Sequence, residues 1–214
     1  MPTVEPTTDA IAREAARRLV LGLDPTLAAA IDAAAEAAAI EVERRRRAGL
    51  DLAAPDRPSF ALVRRHHEAM QQQALGLEGH ADEVRAMLQV ALDLMELLET
   101  HLELGATRLA GRAARGRLDP DLVLHLRLYG DAGVGTVAAG LVEHGTEEPV
   151  FRTVRTRFGR LERLEFTDEG WPISLVLLPP ARLAEAGRNL YRDEPVAVLG
   201  IAEVRRRVEG TAAE

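Results

Sequence analysis

The period of the hydrophobic pattern changes near residue 105, and no other feature limits the fold so much. Before that point apolar residues recur every three to four positions, the spacing of one helix face. After it they alternate, the spacing of a half-buried strand. In the run that starts at Ala10, Ile11, Ala15, Leu19 and Leu23 share a face, with Thr8 or Asp9 as cap and Gly22 near the end. Asp24 and Pro25 read as the cap and first position of a second helix, TLAAAIDAAAEAAAIEVERRRR, whose alanines favour helix by propensity more than by burial. Arg44 to Arg47 suit the negative end of its dipole.

AGLDLAAPDRPS reads as a linker, and Ser59 can cap a third helix, FALVRRHHEAMQQQALG. After a short break at GLEG, a fourth helical stretch carries Val84, Leu88, Ala91, Met95 and Leu98 as one apolar stripe. From Gly105 onwards, ATRLAG and LVLHLRLY are strand candidates, GVGTVAAGLVEHG a helix, and PVFRTVRTRF, RLERLEFT and WPISLVLLPP three further strands. An irregular stretch from Pro179 to Gly200 leads to a closing helix, IAEVRRRVEG. The expected fold is α+β in two layers: a helical region over 1–104, then a small mixed-sheet domain over 105–214.

Composition narrows the function classes. The net charge of −7 argues against nucleic-acid binding through the overall field, and the arginines of residues 151–166 have too few aromatics among them for a stacking platform. Those arginines read as a solvated edge strand. Cysteine is absent, which removes disulfides, thiolate metal sites and cysteine nucleophiles. Lysine is absent too, the residue usage of a GC-rich bacterial genome. No run reaches the ~20 apolar residues of a membrane span, and the first residues lack a leader pattern, so a cytoplasmic protein with no membrane partner is expected.

The stretch LAGRAARGRLDPDLVLHLRLYG, Leu109 to Gly130, carries the one distinctive motif. It resembles the signature of the polymerase-beta-like nucleotidyltransferase superfamily, in which a strand ends in Gly-Ser, an Ala-Arg-Gly turn follows, and the next strand carries Asp-x-Asp. Gly111 takes the place of the first glycine, Ala114-Arg115-Gly116 that of the turn, and Leu124, Leu126 and Leu128 that of the apolar strand face. Shorter pieces, Ile11 to Arg17, Pro172 to Pro179 and Ile201 to Val208, are similar to parts of uncharacterised bacterial nucleotidyltransferase-like proteins. The resemblance implies two aspartates on the second strand and a third carboxylate on a later one, holding Mg²⁺ against nucleotide phosphates. Here Arg112 replaces the serine, Val123 and His125 replace the aspartates, and the third position falls near Ser174.

The resemblance therefore implies a catalytically inactive relative with a binding or interaction role, retaining nucleotide or anion binding but with no catalytic or metal-ligating residue. The binding candidates are Gly111, Arg112, Arg115, Gly116, Arg117, His125 and Arg127. The glycines either offer backbone N–H groups to a phosphate or merely permit a tight connection. His125 and Arg127 either contact an anion or lie on the solvent side of a sheet whose other face is leucine, the reading preferred on residue type. A rival is an active enzyme using Mg²⁺ and nucleotide, with ligands relocated to Asp119, Asp121 or Asp131 and a third carboxylate at Glu165 or Asp168. A further alternative is an interaction module in which the amino-terminal helices contact a protein partner or a second copy. The neighbours His66 and His67 diverge on a helix and read as surface, and Trp171 reads as a packing anchor.

Overall fold

The computed structural model describes residues 7–50 and 52–210. The expectations that fall on Met1 to Pro6 and on Asp51 of the linker lie outside them. The architecture is α+β, and the chain forms two compact units, one of Met1–His80 with Asp119–Asp121 and one of Ala81–Leu118 with Leu122–Glu214. The change of composition at 104/105 marks the passage from helix to strand. The division of packing lies earlier, inside a helix, because the stripe from Leu88 to Leu98 belongs to the core beneath the sheet.

In the first unit, α1 (Thr8–Val20) is capped by Thr7, one residue before Thr8, with Thr7 Oγ1 accepting from Ala10 N at 3.1 Å. α2 (Leu27–Arg47) is capped by Thr26 rather than by Asp24 and Pro25. Asp24 is instead held by Arg18 at 2.5 Å, which removes its carboxylate from the helix end. Ala12, Ala15 and Ala16 of α1 are buried with Ala30, Ile31 and Ala34 of α2 and with Val63. The alanines thus do more than favour helix: their small side chains form the core of the unit. α3 (Phe60–Glu96) begins after Ser59, whose hydroxyl accepts from Leu62 N, and breaks at Gly76, where φ is +73°. The break lies in the GLEG segment where the pattern lapses.

In the second unit, one mixed sheet has the order β3-β4-β5-β2-β1-β6. Its strands are β1 (Ala106–Ala110), β2 (Leu124–Tyr129), β3 (Val150–Thr156), β4 (Gly159–Asp168), β5 (Trp171–Leu178) and β6 (Val198–Leu199). β2 and β5 run parallel; every other neighbouring pair is antiparallel. Alternation sorts the side chains. Leu109, Leu124, Leu126, Leu128, Leu164, Phe166, Ile173 and Leu175 point into a core shared with Leu88, Ala91 and Met95 of α3 and with Leu98 of the π-helical turn that follows it. α4 (Val134–Glu143) adds Val137 and Leu141, and α5 (Ile201–Gly210) adds Val204. Trp171 packs at the margin of this core, as its position before Pro172 suggests.

The opposite face of the sheet is not open to solvent along its length. Tyr129, Leu161, Val176 and Leu178 are buried there with Ala186 and Leu190, so the irregular stretch after Pro179 lies across one end. That cover ends short of His125, and a concavity remains.

Candidate functional site

Ladder register places side chains on this face in rungs. One rung runs Ala110 on β1, His125 on β2, Ser174 on β5 and Glu165 on β4. The next runs Arg108, Arg127, Val176 and Arg163, continuing to Arg152 on β3. A concavity of about 230 Å³ opens over the first two rungs, floored by His125, Arg127, Ser174 and Val176. Gly111 and Arg112 form one wall, and Asn189, Leu190, Tyr191 and Val196 the other. None of the residues that line it is a carboxylate.

His125 keeps its ring exposed in this concavity. The crowding of protein around it lowers its pKa below the ordinary histidine value, and the positive charges of Arg112, Arg163 and Arg127 lower it further. The imidazole is therefore neutral at pH 7. Arg127 behaves differently. It is buried, and its Nη1 donates to Ala186 O at 2.7 Å and to Arg188 O at 2.9 Å. Reading it as a solvent-side residue fails because the segment after Pro179 covers it. Its guanidinium fastens that segment to the sheet and adds positive potential to the concavity.

The wall opposite is built by local hydrogen bonding. Asn189 Oδ1 accepts from Tyr191 N at 2.9 Å and from Arg192 N at 3.3 Å, while Arg157 N donates to Leu190 O at 2.9 Å. Tyr191 remains 56% exposed at the mouth, an aromatic face available to a ligand.

Of the seven binding candidates, Gly111, Arg112, His125 and Arg127 come together here, and Arg115, Gly116 and Arg117 do not. Arg115 and Arg117 are exposed outside the lining, and Gly116 ends a tight turn with φ +69° beside Val84. A backbone phosphate cradle at this turn is also ruled out for four of its N–H groups. Gly111 N donates to Ala197 O, Arg115 N and Arg117 N to Arg112 O, and Gly116 N to Ala113 O. The glycines serve the connection between β1 and β2. At Gly111, φ of +82° favours glycine, and its backbone runs beside the His125 ring.

The carboxylates needed for a relocated metal site lie apart. Asp119 and Asp121 group with the first unit, where Asp121 Oδ1 accepts from Leu27 N at 3.4 Å. Asp131 follows β2 at its other end, beside Gly105 and Pro180. Glu165 shares the rung with Ser174 but is engaged by Arg163 at 2.5 Å and Arg152 at 3.3 Å, and Asp168 has the parity of the core-facing Leu164 and Phe166. Among the described residues, no group of three His, Asp or Glu side chains gathers. The donors at the three expected ligand positions, Val123, His125 and Ser174, do not fit Mg²⁺, which takes hard oxygen ligands.

The histidine pair is not a surface feature either. His66 Nε2 is 2.8 Å from Asp9 Oδ1, and His67 is 3% exposed with no hydrogen-bond partner at Nδ1. The far wall of the concavity escaped sequence reading because Asn189 to Val196 have no periodicity; Asn189, Asp193 and Pro195 were local signs of turns, and none of them says what the turns face.

No protein-family model matches this chain, and neither does a curated protein or a solved structure.

Proposed function

We propose that the protein is a catalytically inactive, nucleotidyltransferase-like binding protein. Its ligand is an anion, a nucleotide or another phosphate, held in the concavity between Gly111 and Tyr191. The observation that carries this reading is a cationic concavity with no carboxylate in its lining, floored by His125 and Ser174, two of the three positions at which the resemblance implies metal ligands. The in-register pairing of His125 with Ser174 supports it, since it brings the second and third expected ligand positions side by side. Arg112, Ser174, Asn189 and Tyr191 offer side-chain donors, and Leu190, Val176 and Val196 offer apolar contact to the remainder of a ligand.

Thermal-shift measurements with each nucleoside triphosphate and with inorganic phosphate, with and without Mg²⁺, test the reading. Stabilisation that needs no metal and is lost in Arg112→Gln is the expected result. Nucleotidyl transfer that His125→Phe or Ser174→Ala abolishes would overturn it.

The alternative of a helical interaction module has its own support in Leu21, Leu23 and Ile40, which are 56%, 54% and 64% exposed on the first unit. Light scattering of the full chain tests it. A monomer at every concentration removes self-association through these helices.

A further inference from the structure

β3 is the edge strand at one end of the sheet, and among the described residues no strand lies beside its outward backbone groups. From Val150 to Leu164 the β3–β4 hairpin carries Arg152, Arg155, Arg157, Arg160 and Arg163 against Glu162 alone, in a chain of net charge −7. The register makes this concentration costly. Arg152 lies directly opposite Arg163, and Arg155 directly opposite Arg160. Like charges across an antiparallel pair destabilise it. Glu165 relieves the first pair by binding both arginines, whereas Arg155 and Arg160 make no ion pair among the described residues. Sheet stability alone does not account for such an arrangement.

Charged edges prevent strands of the same kind from pairing. A second copy of β3 docked antiparallel and centred on Arg152 or on Arg155 would set that arginine directly against its own copy, so self-pairing in these registers is disfavoured. The same charges attract an acidic strand. Apolar surface is present as well: Val150 and Phe151 are 49% and 52% exposed, and a depression of about 120 Å³ lies among Val134, Phe151, Arg152, Thr153 and Glu162.

We infer that the free edge of β3 binds an extended acidic segment of a partner protein by strand addition. Its two carboxylates, three residues apart, meet Arg155 and Arg152 in an antiparallel register, and the apolar residue that follows the second seats beside Phe151. The spacing follows from the pleat, because Arg152 and Arg155 project from opposite faces and their partners must do the same. Main-chain hydrogen bonds supply the affinity and the arginines the selectivity.

The probe is the blocked peptide acetyl-TEVVEVT-amide, measured against the full chain by fluorescence anisotropy and by amide hydrogen exchange. Binding should slow exchange over Val150 to Thr156, weaken with added salt, and fall by about tenfold in Arg155→Glu. A peptide with lysines in place of both glutamates should bind that variant better than it binds the parent, a gain that misfolding cannot produce. The inference is overturned if the peptide does not bind, if N-methylation of alternate peptide bonds leaves binding intact, or if protection appears elsewhere. Binding of a dodecathymidylate at the hairpin while the peptide stays silent would mark a nucleic-acid surface instead, and overturns it equally.

Discussion

His125 and Ser174 stand opposite each other in the parallel β2–β5 ladder, an imidazole beside a hydroxyl on the open face of the sheet. Neither residue is a carboxylate, and Arg112 and Arg127 line the same space. The electrostatics of the concavity therefore favour a negative guest over a metal cation.

Anion binding should tighten as pH falls. Crowding by the surrounding protein, and then Arg112, Arg163 and Arg127, hold the His125 pKa below its ordinary value, so the free site is uncharged at this residue near neutrality. An anion placed against the ring favours the imidazolium and raises that pKa, so binding takes up a proton. Sulfate, which does not titrate in this range, is the suitable probe. Calorimetry in two buffers of different ionisation enthalpy should show proton uptake in the parent between pH 6 and 7.5, and none in His125→Asn. Equal uptake in both proteins would remove His125 from the site.

His67 sets a second pH dependence, in stability. Its ring is buried without a partner at Nδ1, and burial lowers its pKa against the opposing pull of Asp119 and Asp121. The folded pKa thus lies below the unfolded value of about 6.5. Its contribution is fully present above that value and is lost as pH falls through the folded pKa. His67→Leu removes the titration and the unsatisfied polar atom together, so it should be neutral or stabilising by about 1 kcal/mol near pH 5. Urea unfolding of both proteins from pH 8 to 5 checks this, and the difference between the two curves should grow only on the acidic side.

Arg127 predicts a defect of a different kind. Its Nη1 holds two carbonyl oxygens, those of Ala186 and Arg188, in a buried setting. Arg127→Met keeps much of the stem but leaves both carbonyls without this donor, at a cost of about 2–4 kcal/mol. Hydrogen exchange should show the loss first between Ala186 and Val196, the wall of the concavity. A variant that loses stability uniformly, with that wall still protected, would show that the clamp acts elsewhere.

How much of this was legible in the sequence depends on whether a residue's neighbours are local. The strands after Gly105 were readable because Leu124, Leu126 and Leu128 alternate with His125, Arg127 and Tyr129, and a two-residue period has one structural solution. Ser174 was singled out only through the resemblance, and register places it beside His125. The burial of Arg127 and His67 was not readable. Each depends on a segment distant in the chain: the Ala186 and Arg188 carbonyls accept from Arg127, and Asp119 and Asp121 act on His67 through their charge. Helix starts were misplaced by a residue or two because neighbouring Asp and Thr residues all satisfy the cap preference, and Arg18 decides against Asp24 by binding it.

Gly130 and Gly140 offer a test of how rigidly the sheet and its helix are joined. A Cβ at Gly130 would stand 1.9 Å from Leu104 O, a backbone atom, and one at Gly105 would stand 2.3 Å from Tyr129 O. These glycines let the chain entering β1 and the chain leaving β2 pass in contact, where Ala106 pairs with Tyr129. Backbone cannot rotate aside as a side chain can, so Gly130→Ala must pull the two strands apart and should cost about 3 kcal/mol or more. At Gly140, on α4, the obstacle is Leu102 Cδ1 at 2.7 Å, the end of a flexible side chain. Leu102 can change rotamer, and Gly140→Ala also gains helix propensity of about 1 kcal/mol, so its net cost should be small. Urea midpoints of the two variants should therefore differ clearly, with Gly130→Ala the weaker. If Gly140→Ala destabilises as much, α4 is held against Leu102 more tightly than a single rotamer change can relieve.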